Sequence, residues 1–308
     1  MSFAMIFSII VGAVIIFFAI YATTRLVDTE RNQQDTEIGK ELGILLTPIE
    51  TNLESAKAVK LTMPSETRIY NDCSKLSEET FGNQKISVAT KSGVGKDWTN
   101  PGVPSSFHNK YIFSSDVSEG KNFEIFTKPL EMPFKIADLT FLWSEQEKFC
   151  FVNAPREIET EVLDLGLEGI EVSTKIENCS LESKKVCFTK SGCDVDVDVN
   201  SKSVKKKKRT ETVFYEGPLI YGAILSEPGR YECQVQRLFA RASELASIYA
   251  GKSSLLSVKG CGSERLQPLL GTYSNQTFSV ENTIELREIY LLSEDIRRQN
   301  ENLGCRLF

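Results

Sequence analysis

The chain has 308 residues, of which 41% are hydrophobic and 25% charged, and its formal net charge is -6. This is the composition of an ordinary globular protein, and the acidic balance disfavours general nucleic-acid binding. The single histidine, His108, excludes zinc sites that need two imidazoles and mechanisms that need a histidine pair. No motif predicts catalysis, so we expect no enzymatic activity and no cofactor.

The N-terminal segment is strongly apolar, and the first charged side chain is that of Arg25. As a helix, residues 3–22 would cover about 30 Å, the hydrocarbon thickness of a bilayer. A core helix of this length would carry a polar stripe, and a secretory signal peptide would have a basic start and a shorter apolar run. The pattern predicts a retained, single-pass transmembrane helix over residues 1–24, with membrane lipid as its partner.

Two signals disagree about the orientation of this helix. Basic residues follow the apolar run, which by the positive-inside rule favours a cytoplasmic location for the rest of the chain; they are Arg25, Arg31 and Lys40. The eight cysteines favour an oxidising compartment, and glycosylation sequons at Asn178 and Asn275 point the same way. We expect the bulk of the chain to be extracytoplasmic, and a short basic leader before Met1 would remove the conflict.

Residues 25–62 are predicted to continue the helix as an amphipathic stalk. Apolar residues recur at helical spacing from Ile38 to Ala56. Pro48 removes an amide donor, so we expect a kink or a restart near it, with Thr47 as the cap. The helix is expected to end before Pro64.

Residues 63–228 are predicted to form an α+β ectodomain. Short apolar or alternating runs separated by turn residues predict strands at 85–90, 110–113, 123–127, 134–143, 148–152, 169–173 and 219–225. The runs at 134–143 and 148–152 flank four polar residues and are expected to pair as a hairpin. A helix is expected to start at Pro155. Residues 175–210, rich in cysteine and charge, are expected to be the least ordered.

Residues 229–308 are predicted to be a helical, disulfide-stapled subdomain. One apolar face runs from Val235 to Tyr249 and would end at Gly251; a second runs from Ile289 to Leu303. The whole chain is therefore expected to be α+β: a long N-terminal transmembrane helix, a stalk, a mixed strand-rich ectodomain and a C-terminal helical subdomain.

None of the eight cysteines forms a Cys-x-x-Cys motif, which excludes the thioredoxin motif and the usual zinc knuckle. All are disulfide candidates, and their pairing is open among 105 connectivities. Two of the last three would staple the C-terminal helices, and the three between 179 and 193 would pin that loop; free buried thiols are the alternative. The candidates are Cys73, Cys150, Cys179, Cys187, Cys193, Cys233, Cys261 and Cys305.

The alternating residues Asp194, Asp196 and Asp198 have the spacing of oxygen ligands in calcium loops. The positions that would need glycine and glutamate hold Val199 and Lys205, so an edge strand with one solvated face is the better interpretation. The basic run 205–209 is expected to be a solvated turn, and residues 93–96 depart from the phosphate-loop pattern.

The N-terminus, MSFAMIFSII at residues 1–10, followed by twelve further residues without a charged side chain, resembles the mature N-terminal helix of archaeal type IV pilin-like proteins. In that family a membrane peptidase removes a short basic leader, and the helix packs in a filament core or remains as a membrane anchor. The helix-then-strand layout is similar to that plan, although Met5 stands where many bacterial-type pilins have glutamate. The cysteine-rich ectodomain is larger than that of a typical major archaeal pilin, so within this resemblance we expect a minor subunit or a non-polymerising relative.

These observations predict a membrane-anchored cell-surface structural or interaction protein. It would assemble through its N-terminal helix with itself or with other pilin-like surface subunits. Small residues permit close helix packing in lipid, and Ser8, Gly12 and Ala19 form one such track. A monomeric adhesin or receptor ectodomain is the alternative, and an anchored extracytoplasmic enzyme is a third.

Overall fold

A computed structural model of the protein describes residues 3–51, 57–74, 82–91, 98–189, 192–207 and 209–308. The fold is mixed α+β, with a long apolar N-terminal helix, two six-stranded sheets and a group of C-terminal helices. The helices are α1 Phe3–Thr51, α2 Arg156–Asp164, α3 Leu219–Leu225, α4 Pro228–Ser257, α5 Leu266–Phe278 and α6 Leu286–Glu301.

The first sheet has the order β3-β2-β1-β5-β6-β4 and is antiparallel except for the pair β4–β6. Its strands are β1 Lys57–Ser74, β2 Asn83–Thr90, β3 Ser105–Phe107, β4 Ile112–Phe113, β5 Val117–Glu131 and β6 Lys135–Ser144. The long central strand β1 contains Pro64, which lies in the irregular stretch between Thr62 and Thr67. A proline is tolerated there because the ladder is already interrupted.

The second sheet has the order β12-β11-β10-β9-β7-β8, in which β8, β7, β9 and β10 are parallel. Its strands are β7 Phe149–Val152, β8 Ile170–Ser173, β9 Lys184–Cys187, β10 Val195–Asp198, β11 Ser203–Lys206 and β12 Thr212–Phe214. Every residue of β7 is buried, as expected for a parallel strand covered on both faces.

The helix α1 differs from the predicted stalk in two ways. It is helical through Thr47 and Pro48, so it neither ends nor restarts there. A proline inside a helix removes one amide donor, and here the helix continues past that loss. The chain is a strand from Lys57, so the stalk helix does not reach residue 62. The predicted face residues Leu53 and Ala56 lie outside the described residues.

Several predicted strands are confirmed, and two predictions in this region are wrong. Strands occur at 85–90, 123–127, 135–143, 149–152 and 170–173. The expected hairpin of 134–143 with 148–152 is wrong, because β6 and β7 belong to different sheets. The expected strand at 219–225 is the helix α3, all seven residues of which are buried. A short, fully apolar run has no periodicity that separates strand from helix.

Residues 175–210 are more ordered than expected, since they contain β9, β10 and β11. The strand β10 is an interior strand and not an edge, although one of its faces is solvated as predicted. The helix α4 passes through Gly251 and ends at Ser257, and the chain reverses at Gly260 with φ +83°. The second predicted apolar face lies on α6, where Ile289 and Ile296 are buried.

Two hydrophobic clusters lie on opposite faces of the first sheet. Along β5 and β6, alternate residues such as Ile125 and Leu142 pack toward α1, while Phe126 and Phe141 face the other way. The cluster that contains Phe126 and Phe141 is the larger of the two, and it extends from Tyr111 into the C-terminal helices. Residues on both sides of position 229 therefore share one core.

Candidate functional site

The N-terminal half of α1 presents an apolar surface that no other described part of the chain covers. Its most apolar 18-residue window has a mean hydropathy of 2.3 and no buried residue. Within the described residues this is the one helix that is long and apolar enough to cross a membrane. The side chains with the largest exposed fractions are Phe7, Ile9, Ile15, Ile16, Phe17, Phe18, Ile20 and Leu26, each between 61% and 66%.

The predicted packing track lies on this exposed half. A Cβ added to Gly12 would meet no atom within 4 Å, so no side chain of the domain covers that position. Ser8 and Ala19 are likewise exposed. The track is open to a helix from another molecule, and its use remains a prediction.

The C-terminal half of α1 is joined to the first sheet through a buried carboxylate. Asp35 is 1% exposed, and its oxygens accept hydrogen bonds from the hydroxyls of Thr90 at 2.9 Å and Thr99 at 2.6 Å. At the next residue, the Thr36 hydroxyl accepts a bond from the amide of Val103 at 3.0 Å. Buried polar groups need such partners, so these bonds favour one placement of the helix on the sheet.

Glycines on both sides of this junction allow a close approach. A Cβ on Gly102 would lie 2.6 Å from the backbone nitrogen of Thr36. The loop that contains Gly102, just before β3, therefore contacts the backbone of α1. A Cβ on Gly43 would lie 2.1 Å from the ring of Phe107. At Gly39 the nearest atoms are 3.7 Å away, an ordinary contact. The helix thus lies on β2 and β3 with little side chain between them.

All eight cysteines form disulfides, which confirms the predicted role of the residues and selects one connectivity. Cys73–Cys233 joins β1 to α4, and Cys150–Cys179, Cys187–Cys193 and Cys261–Cys305 are the other three. The last bridge staples the C-terminal helices as expected. The middle two share a buried cluster with Val152 on the outer face of the second sheet.

A buried arginine holds the loop that follows β3. The guanidinium of Arg237 donates to the carbonyls of Lys110 at 2.9 Å and His108 at 3.0 Å, and to Oε1 of Gln234 at 2.7 Å. It lies 4.8 Å from the ring centroid of Tyr111. Burial lowers the pKa of Arg237 to about 10, so it stays charged at neutral pH. The sequence did not predict a role for Arg237, because backbone carbonyls are present at every residue and give no pattern.

The three aspartates proposed for calcium each bind backbone amides. Asp194 accepts from Lys185 at 2.9 Å, and Asp196 accepts from Gly192 and Cys193. Asp198 accepts from the amides at 200 and 201, which lowers its pKa. Within the described part of the chain, no group of three or more His, Cys, Asp or Glu side chains is arranged to hold a metal ion.

The basic run is only partly the solvated turn that was expected. Lys205 and Lys206 belong to β11, where Lys205 is paired in register with Asp196. The half-buried Lys206 ammonium donates to the carbonyl of Ser226 at 2.5 Å, and burial lowers its pKa to about 8. Residue 208 and the glycine-rich segment 93–96 lie outside the described residues.

The two sequon asparagines, Asn178 and Asn275, are exposed. The first precedes Cys179, which is bonded to Cys150. The second lies in α5, where the hydroxyl of Thr277 is buried and donates to the carbonyl of Tyr273 at 2.8 Å. His108 is an exposed loop residue. Modification of either asparagine remains a prediction.

Comparisons of this chain with protein-family models, with curated proteins and with solved structures find no match. The features that point to a function are the uncovered apolar helix, its fixed attachment to the domain and the four disulfides.

Proposed function

We propose that this chain is a single-pass, membrane-anchored cell-surface protein whose α+β domain lies outside the cytoplasm. It acts there as a structural or interaction subunit similar to archaeal type IV pilin-like proteins. The observation that carries the proposal is the continuity of α1, which passes without a break from an uncovered apolar half to a half fixed on the sheet by Asp35.

The uncovered half of α1 needs a partner for energetic reasons. Burying one large apolar side chain is worth about 1.5–3 kcal/mol, so leaving more than a dozen of them in water would cost on the order of tens of kcal/mol. Lipid or the same helix of neighbouring subunits would supply that cover. Small residues along the track at Ser8, Gly12 and Ala19 would allow the second arrangement at close range.

The cysteine pairing supports the extracytoplasmic placement. Disulfides persist in oxidising compartments and are rare in the cytosol. Four bridges that use all eight cysteines fit a domain folded outside the cytoplasm. The experiment is non-reducing peptide mass spectrometry on protein extracted from membranes with its thiols blocked. Pairing as in the structure is the expected result, and free thiols at these positions would overturn the placement.

Assembly through α1 is tested by chemical crosslinking of the full chain in membranes. Gly12→Ile places a branched side chain on the track and is expected to reduce crosslinked oligomers. Ala13→Ile introduces the same side chain about 100° around the helix and is the matched control. Equal oligomer yields from the two variants and the unaltered chain would exclude assembly through this face while leaving the membrane anchor intact.

A further inference from the structure

The connections of the second sheet create a crevice between two of its parallel strands. From β7 the chain passes through α2 to β8 on one side, and it then returns to β9 on the other side of β7. The neighbouring strands β7 and β9 are thus followed by connections that lead away in opposite directions, to β8 and to β10. In open sheets of parallel strands, ligands bind outside the carboxyl ends of the strands at such a point.

A cavity of about 720 Å³ lies at this position. Asn153 and Pro155 border it from the end of β7, Thr189 from the end of β9, and Asp198 and Asn200 from the end of β10. Its volume is that of sites for small organic ligands. Asn153 has a φ of 54°, the left-handed conformation that asparagine tolerates better than most residues.

Two carboxylates in the cavity lining are held in place by the backbone. Asp196 accepts from the amides of Gly192 at 2.9 Å and Cys193 at 3.0 Å. Asp198 accepts through Oδ1 from Asn200 at 2.9 Å and Ser201 at 3.1 Å. These bonds keep the pKa of Asp198 below its usual value. Because a carboxylate has about four acceptor positions, both groups keep capacity for donors from a ligand.

Further polar side chains line the same cavity and have no hydrogen bond or ion pair of their own within the described residues. They supply both amide and hydroxyl groups, together with one ammonium group: Asn153, Thr189, Asn200, Lys205 and Thr212. Pro155, Phe188, Val197 and the 41% exposed Val199 add apolar surface. The lining therefore offers fixed acceptors, mixed donors and apolar contact.

The charge of the lining decides which ligand fits. Asp196 and Asp198 outweigh Lys205, so phosphates and carboxylates would meet net repulsion. Acceptors arranged beside hydroxyl and amide groups suit a ligand that carries many hydroxyls, with a C–H face for Pro155 and Val199. We propose that this cavity at the carboxyl ends of β7, β9 and β10 is a binding site for a neutral saccharide.

The test uses the full chain in a detergent without a sugar headgroup, since glycoside detergents would compete for the site. Saturation-transfer NMR is recorded with methyl glycosides and disaccharides of glucose, galactose, mannose and N-acetylglucosamine, and affinity is then measured by titration calorimetry. At least one neutral sugar is expected to receive magnetisation. Asp198→Asn is expected to weaken its binding about tenfold or more, because a charged hydrogen-bond acceptor is lost.

Two further variants make the result decisive. Thr189→Ala removes an exposed hydroxyl that no other group of the described chain uses, so it tests the site without disturbing the turn at Asp198, and weaker binding is expected. Asp194→Asn alters a neighbouring aspartate that does not line the cavity, and binding should be unchanged. The proposal is overturned if no sugar binds, if Asp194→Asn and Asp198→Asn weaken binding equally, or if sulfated sugars bind in preference and depend on Lys205.

Discussion

The carboxylate of Asp35 accepts a hydrogen bond from the hydroxyl of Thr99, 64 residues further along the chain, at 2.6 Å. With the bond from Thr90 it forms a buried polar contact between α1 and the first sheet. The apolar contacts around it are non-directional, whereas these two bonds require a particular rotation and height of the helix. The orientation of the domain relative to the apolar half of α1 therefore depends strongly on this one residue.

Replacing this carboxylate is expected to weaken the junction. Asp35→Ala should lower the free energy of unfolding by about 1–3 kcal/mol, because two threonine hydroxyls lose their buried acceptor. Denaturant unfolding of the full chain, followed by tryptophan fluorescence, measures the change. Glu37→Ala, two residues along on the exposed face, is the control and should leave the midpoint nearly unchanged. Equal midpoints for the two variants would show that the contact contributes no stability.

Two glycines near the junction should respond in opposite directions to the same substitution. Gly39→Ala is expected to stabilise by about 0.5–1 kcal/mol, because alanine favours the helix and its Cβ meets only ordinary contacts. Gly102→Ala is expected to destabilise, because its Cβ would lie 2.6 Å from the backbone of Thr36 and the loop would have to move. The melting temperatures of the two variants give the comparison. Stabilisation by Gly102→Ala would contradict the close approach of this loop to α1.

The four disulfides should differ in how much they stabilise the fold. Cys73–Cys233 closes a loop with a sequence separation of 160, and Cys187–Cys193 one of 6. Chain entropy predicts stabilisation of roughly 5 kcal/mol for the long loop and about 2 kcal/mol for the short one. Replacing each pair by alanine should therefore lower the denaturant midpoint more for the first pair. The reverse order would show that packing in the cysteine cluster outweighs chain entropy.

Alkaline pH is expected to unfold the domain through its buried tyrosines. Burial raises the pKa of Tyr215 to about 12, and that of Tyr231 and Tyr273 also rises well above 10. A raised folded-state pKa means that the stabilisation is complete below pH 10, the ordinary tyrosine pKa, and is lost as the pH rises toward and through 12. The Tyr231 hydroxyl donates to the carbonyl of Phe214 at 2.8 Å, and ionisation would remove that bond.

Tyrosinate absorbance and circular dichroism during the same alkaline titration test this expectation. The buried tyrosines should ionise together with the loss of structure, at a pH above the ordinary tyrosine pKa. Complete ionisation near pH 10 with the fold intact would contradict the burial of these side chains. Tyr231→Phe should keep the packing and reduce the loss of stability at high pH.

Local patterns predicted the elements whose periodicity is strong. The faces from Val235 to Tyr249 and from Ile289 to Ile296 repeat at helical spacing, and both lie on helices. The run at 219–225 is apolar throughout, so its period could not separate strand from helix. Its burial among both sheets and α4 follows from tertiary packing, which a local pattern does not contain.

Contacts between residues distant in the chain could not be predicted either, because local patterns carry no information about them. The pairing of Lys57 with Thr127, and the parallel pairing of β7 with β8 and β9, join residues whose spacing carries no signal. The cysteines were recognised by type, but spacing alone could not choose among their connectivities. The sequence pattern also did not predict that Asp35 accepts hydrogen bonds or that Arg237 contacts carbonyls. Their partners are hydroxyls and backbone oxygens, which occur throughout the chain and mark no particular position.

The bridge between Cys73 and Cys233 also determines how the domain would respond to a pulling force. If α1 is held in a membrane or filament and the C-terminus is pulled, tension passes from residue 73 to residue 233 through sulfur, and most of both sheets carries no load. The bridge Cys261–Cys305 bypasses α5 and α6 in the same way. Among the described elements between α1 and the C-terminus, β1 and α4 carry the load, so both sulfur bridges greatly shorten the length to which the domain could be drawn out.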